Sequence, residues 1–103
     1  MSLSLKGIIL YFLVKYKFVP NFIERRKAIR EDHLRYIRSA FRRGEVIAGG
    51  AYGELEDIAG GLIVFKLDCR ERADQFVRKD PFYVSGLITS YEIHEWHVVV
   101  GLQ

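Results

Sequence analysis

The first block of the chain, "KGIILYFLVKY", fills both of its alternating sets with apolar residues: Ile8, Leu10, Phe12 and Val14 in one, Ile9, Tyr11 and Leu13 in the other. Its β-branched and aromatic content predicts a strand. Pro20 suits the start of a helix, and from there the apolar spacing switches to three and four and continues to Arg43. A basic last turn and Gly44 at the C′ position predict the end of that helix. "EVIAGGAYG" and "GLIVFKL" return to strand composition and enclose the loop "ELEDIAG", which predicts a hairpin. In "DCRE", Asp68 can cap a second helix while Glu71 at N3 reaches back as a capping box. Ala73, Phe76 and Val77 give this helix its apolar stripe. "KDPFYVSG" breaks it, and "LITSYEIHEWHVVV" predicts a long last strand.

The resulting order, β-α-β-β-α-β, is the ferredoxin-like one. It predicts an α+β fold, an antiparallel four-stranded sheet with two helices on one face, with residues 1–103 forming a single domain. Helices on one face should leave polar residues on the other. The first strand and "LIVFKL" are instead apolar in both sets. A second cover is therefore expected, and another copy of the chain supplies it most economically. The prediction is a homodimer packed sheet against sheet, since an exposed apolar face of this size is a liability.

Composition narrows the classes. Of 103 residues, 50% are hydrophobic and 28% charged, ordinary values for a globular protein. The longest apolar run, "GIILYFLV", is too short to span a bilayer, and Lys15 and Lys17 follow it where a signal peptide would have a small-residue cleavage site. No membrane association is expected. The sole cysteine, Cys69, excludes an internal disulfide framework and suits a reducing cytoplasm. Net charge is +3, with much of the positive charge on the first helix, including Arg25, Arg26, Arg30, Arg35 and Arg38. Glu24, Glu31 and Asp32 partly neutralise it, and the aromatics occupy core positions instead of interleaving with the arginines. A solvated face is thus favoured over a nucleic-acid footprint. Gly49-Gly50 and Gly60-Gly61 flank the hairpin and open no helix, so they imply no nucleotide or redox cofactor.

One residue disturbs the helix pattern. On a wheel centred on Ile29, the residues Phe22, Ile23, Tyr36, Ile37, Ala40 and Phe41 share an apolar arc, and His33 falls in its middle. A buried imidazole needs partners for its ring nitrogens or loses about 1–3 kcal/mol. It is either a satisfied core histidine or one half of a functional pair. Asp80, ending the second helix, is the candidate partner: it can cap a short turn begun by Pro81 and orient a histidine with its other oxygen. Such an aspartate holds one tautomer and leaves the second ring nitrogen free as base or acid. In "HEWH", His94 and His97 stand three apart and point to opposite faces of a strand, which argues against a shared metal unless a bulge redirects them. Cys69 reads as a buried bystander.

"R-x-x-H-L" at Arg30, His33 and Leu34, followed by "RRGEVIAGGAYG" and "DPFYVSGLITSYEIHEW", resembles the YCII-related family of the dimeric α/β-barrel superfamily. The likeness extends from the first strand to Trp96. It implies that His33 and Asp80 form the active-site pair, that Arg30 belongs to the site, and that two copies meet through the open sheet face. Many relatives carry tyrosine after Asp-Pro. Here that place is Phe82, and the hydroxyl arrives one residue later, at Tyr83. The expected function is general acid/base proton transfer, of isomerase or elimination type, on a small organic acid. His33 and Asp80 would be catalytic, Arg30 and Tyr83 substrate-binding, with no cofactor or metal. A non-catalytic ligand-binding or regulatory dimer is the alternative.

Overall fold

Strands and helices alternate as expected in the computed structural model, which describes residues 9–102. They are β1 (Leu10–Phe18), α1 (Phe22–Arg25), α2 (Arg30–Arg42), β2 (Val46–Glu54), β3 (Asp57–Leu67), α3 (Arg70–Lys79), α4 (Pro81–Val84) and β4 (Ile88–Glu95). The strands form one antiparallel sheet in the order β2-β3-β1-β4. This is the ferredoxin-like α+β architecture. The start of the expected first strand, Lys6 to Ile8, lies outside the described residues.

The core occupies the helix-covered face. Phe12, Val14 and Tyr16 of β1 stand opposite Phe65, Ile63 and Gly61 of β3 and are buried there, beneath Ala40, Ala73, Phe76 and Val77 of the helices. The opposite face carries Leu13, Leu62 and Val64, all half-buried, but also exposed Lys15, Lys17, Glu92 and His94. It is more mixed than the two-sided apolar reading of β1 suggests.

The single helix expected from Pro20 to Arg43 is interrupted. Residues 26–29 form turns between α1 and α2, tightened by i→i−3 bonds from the Lys27 and Ile29 amides to Glu24 and Arg26. The C-terminal end follows expectation. Gly44 sits at φ +82°, its amide bonds Phe41 O and that of Glu45 bonds Ala40 O, the paired closure that a left-handed C′ residue permits. Phe41 is 59% exposed despite its place on the wheel. Each i→i+4 step drifts by about 40°, so the row from Ile29 leaves the sheet after three steps while Tyr36 and Ala40 take the inward position.

Three further boundaries move. The expected hairpin loop "ELEDIAG" is mostly strand: Glu54 pairs with Asp57, leaving a two-residue turn, and a register shift at Tyr52/Gly53 absorbs the extra residue. The Asp68–Glu71 capping box does not form. Cys69 is the N-cap of α3 without a side-chain bond, and Asp68 faces Arg72 at 3.5 Å. β4 stops at Glu95, so Trp96 to Val100 do not extend the strand.

Candidate active site

Proline chemistry sets the position of Asp80. The ring of Pro81 disfavours the helical region for the residue before it, and Asp80 leaves α3 at φ −64°, ψ 127°. Its side chain then caps α4, Oδ1 accepting the Phe82 amide at 3.0 Å, with Pro81 in the first turn where a missing N–H costs nothing. Gly86, at φ +76°, closes the other end of α4, with amide bonds from Gly86 to Tyr83 O and from Leu87 to Phe82 O. A single helical turn clamped at both ends thus fixes one carboxylate.

That carboxylate is fully buried, and two other elements reach it. His33, in the first turn of α2, places Nδ1 2.7 Å from Asp80 Oδ1. Tyr16 of β1 donates its hydroxyl to Asp80 Oδ2 at 2.8 Å. The histidine therefore shares an oxygen with the capping bond instead of taking the other one, as expected from sequence. Each carboxylate oxygen has two acceptor sites, so one serves both donors. Burial first, and the Asp80 charge second, push the Tyr16 phenol far above its ordinary range, which keeps it a donor. Because the carboxylate only accepts, Nδ1 carries the hydrogen, and in the neutral ring the lone pair is that of Nε2. Nε2 has no partner among the described residues, and it is not sealed from solvent. The Phe82 ring stacks on the imidazole, centroids 3.8 Å apart and planes within 8°, and so fixes the ring plane.

His33, Tyr16 and Phe82 line the buried end of a cavity of about 170 Å³ between α2 and the β2–β3 half of the sheet. Arg26 and Arg30 line its more exposed end. Arg26 also lies over the Phe22 ring, 5.5 Å from its centroid, and its pKa is lowered, chiefly by partial burial and then by the charge of Arg30.

Of the residues expected to bind substrate, Arg30 lines this cavity and Tyr83 does not. The Tyr83 ring stands edge-on to Tyr91 at 5.7 Å, one residue round α4 from the position facing His33. The side chain that does face the imidazole is Phe82, which has no hydroxyl. The phenol at the site is Tyr16, which sequence reasoning passed over. Its signal was present: Tyr16 shares the alternating set of Phe12 and Val14, and a tyrosine at a core position needs a partner for its hydroxyl. Arg26, four residues before Arg30 on the same side of a helical path, was also readable.

The remaining candidates lie elsewhere. His94 bonds Glu92 Oε1 at 2.8 Å on the open sheet face, and His97 lies beyond β4 near Glu95. No three His, Cys, Asp or Glu side chains cluster among the described residues. Cys69 is half-buried at the α3 N-cap. No helix among the described residues is long and apolar enough to cross a membrane.

A ferredoxin-like sheet with a histidine on a buried aspartate at the end of a small cavity defines the class. The YCII-related domain model matches residues 10–97, and the chain belongs to that family. It is 20% identical, over 85 residues, to an uncharacterized protein of Haemophilus influenzae, covering 76% of this chain and 87% of that protein. The fold is shared with 5-chloro-2-hydroxyhydroquinone dehydrochlorinase (TftG) of Burkholderia phenoliruptrix AC1100, solved with 2,5-dihydroxybenzoquinone: TM-score 0.73, 22% identity, covering 84% of this chain and 93% of that one. An antibiotic biosynthesis monooxygenase has the same fold at TM-score 0.53 and 10% identity, covering 88% and 99%.

Proposed function

We propose that the cavity is an active site for proton transfer on a small organic acid, with His33 as the general base and acid. The carrying observation is the 2.7 Å contact of His33 Nδ1 with buried Asp80, made by a ring that lines the cavity. In this reading Nε2 takes a proton from substrate carbon, and Asp80 steadies the imidazolium that results. The imidazolium, free to exchange with solvent, then gives a proton to a different carbon, completing an isomerisation, or to a departing group, completing an elimination. Neither outcome requires an oxidant or reductant. Arg30 holds a substrate carboxylate. A small quinone bound by a protein of the same fold supports an occupant of this size. The test is a panel of small unsaturated and lactone acids in deuterated water, followed by proton NMR. The wild type is expected to wash deuterium into a member of the panel or move its double bond, and His33→Asn, melting normally, to lose this by at least a hundredfold. Full activity in that variant overturns the assignment.

We infer also that a second copy covers the open sheet face. The strip of Leu13, Leu62 and Val64 is the apolar contact that supports it, and the charged residues around the strip would form a polar rim. Sedimentation at micromolar concentration should give a dimer, and Leu13→Glu a monomer. A wild-type monomer would remove the inference.

A further inference from the structure

We propose that this site takes a planar carboxylate about the size of one six-membered ring, its anionic end gripped by Arg26 and Arg30 together. The proposal deepens the reading of His33 as the reactive group of the cavity, and rests on it. Three observations converge.

The first is size. The cavity holds about 170 Å³, and an engineered cavity of about 150 Å³ in another protein accommodates benzene. One ring fills such a space; a fused bicycle or a nucleoside exceeds it.

The second is charge. Among the described lining residues Arg26 and Arg30 are the only charged side chains, and no acidic group faces them across the cavity. Neither has an ion-pair partner among the described residues, whereas nearby Lys27, Arg35 and Arg43 are paired with Glu24, Asp32 and Glu45. Two guanidinium groups at one mouth, the inner one destabilised as a cation by burial and by its neighbour, form a receptor for an anion. A carboxylate relieves the repulsion and matches the fork geometry of arginine.

The third is shape. Across from α2, the helix-facing positions of the β2–β3 wall that line the cavity are Gly49, Ala51, Gly61 and Ile63, three of them with little or no side chain. A Cβ added at Gly49 would stand 3.1 Å from Ile37 Cδ1, and one at Gly61 3.0 Å from Phe18 Cζ. A side chain at either glycine would therefore press on its neighbour and take space from the cavity. Phe82 and His33, stacked in parallel planes, and the Phe18 and Phe22 rings, stacked 3.7 Å apart, supply aromatic surface around it. Aromatic faces of this kind favour a flat conjugated acid over a puckered one of equal charge.

Benzoate, cyclohexanecarboxylate and benzamide separate the terms, the second changing only planarity and the third only charge. Their dissociation constants are to be measured by isothermal titration calorimetry of wild-type protein, and the His33 ring signals followed separately by NMR. Benzoate is expected to bind at least tenfold more tightly than either. Arg26→Gln, checked for an unchanged melting temperature, should weaken benzoate at least tenfold and leave benzamide unaffected, while Arg26→Lys keeps part of the affinity. Equal binding of cyclohexanecarboxylate and benzoate overturns planarity, and benzoate affinity intact in Arg26→Gln overturns the two-arginine grip. Tight, Arg26-dependent benzoate binding that leaves the His33 signals unmoved supports the grip and overturns the role given to His33. An Arg26-independent ligand that moves those signals does the reverse.

Discussion

A carboxylate, a tyrosine hydroxyl and a basic side chain meet twice in this molecule. At one end Asp80 accepts from the Tyr16 hydroxyl at 2.8 Å and faces the His33 imidazole at 2.7 Å. On the other side of α3, Asp74 accepts from the Tyr91 hydroxyl at 2.6 Å and from Arg78 Nε at 2.7 Å. Distances do not distinguish them; surroundings do. The Asp80 side chain is 0% exposed and that of Asp74 36%. Water can replace each bond that Asp74 makes, and salt can screen its charge. Nothing replaces the bonds of Asp80. A hydrogen-bonded carboxylate is therefore a small surface contribution in one place and the shared acceptor of a buried cluster in the other.

The strongest way to break the comparison is to remove each carboxylate. Asp80→Ala leaves the Tyr16 hydroxyl, the Phe82 amide and His33 Nδ1 without their acceptor. With each orphaned buried group costing about 1–3 kcal/mol, the expected loss exceeds about 3 kcal/mol. Asp74→Ala should cost no more than about 1 kcal/mol. Urea denaturation of the two variants measures both. Equal losses would mean that burial is not what separates the two clusters.

A smaller effect sharpens the same point. Tyr16→Phe removes one donor from Asp80 and should cost about 1–3 kcal/mol at neutral pH. It also alters the alkaline limb. Tyr16 lies far above the ordinary tyrosine value of 10.0, and Tyr36 is pushed up to about 12, in both cases mainly by burial and next by Asp80. A phenol whose pKa is raised on folding contributes stability that is whole below the unfolded value, here 10.0, and is lost as pH rises through the folded one. Between about pH 9.5 and 11 the wild type should therefore lose stability with a slope to which both phenols contribute, and Tyr16→Phe should lose it less steeply. An unchanged slope would show that the buried phenol ionises no later than in the unfolded chain.

How much of this was visible in the sequence depends on the range of the interaction. The end of α2 at Gly44 and the cap–proline turn at Asp80–Pro81 are local chemistry, and both were readable. The inward turn of His33 was readable too, because helical periodicity is regular over a few turns. The exposure of Phe41 was missed because that regularity drifts against a straight sheet. The expected Asp68 cap does not form because the helix begins one residue later, leaving Asp68 to pair with Arg72. Tyr16 lies 64 positions from Asp80, and no local pattern joins them. Their meeting follows only once β1 is placed at the centre of the sheet, beneath the junction of α3 and α4. Tyr83 lies outside the cavity for a narrower reason: one residue on a single-turn helix separates the side that faces His33 from the side that faces Tyr91.

The smallest expected effect is the most exact probe of the contrast. Tyr91→Phe removes from Asp74 the kind of donor that Tyr16→Phe removes from Asp80. At neutral pH it should change stability by about 0.5 kcal/mol or less, since solvent takes the place of the hydroxyl. Its trace should appear in acid. The Tyr91 hydrogen bond first, and the Arg78 bond next, hold the Asp74 carboxyl below its ordinary value of 3.8. A carboxyl lowered on folding contributes stability that is present above the unfolded value and lost as pH falls through the folded one. Without Tyr91 the Asp74 titration should move back toward 3.8 and the acid limb should flatten slightly. Carbon NMR of the Asp74 carboxyl follows the first change, and urea denaturation between about pH 2.5 and 5 the second. Raising the salt concentration should shrink the Arg78 share of the shift and leave the Tyr91 share, because screening acts on charges and not on a neutral donor. A Tyr91→Phe variant that lost as much stability as Tyr16→Phe would mean that the surface trio is shielded from water after all, and that a second buried carboxylate lies under α3.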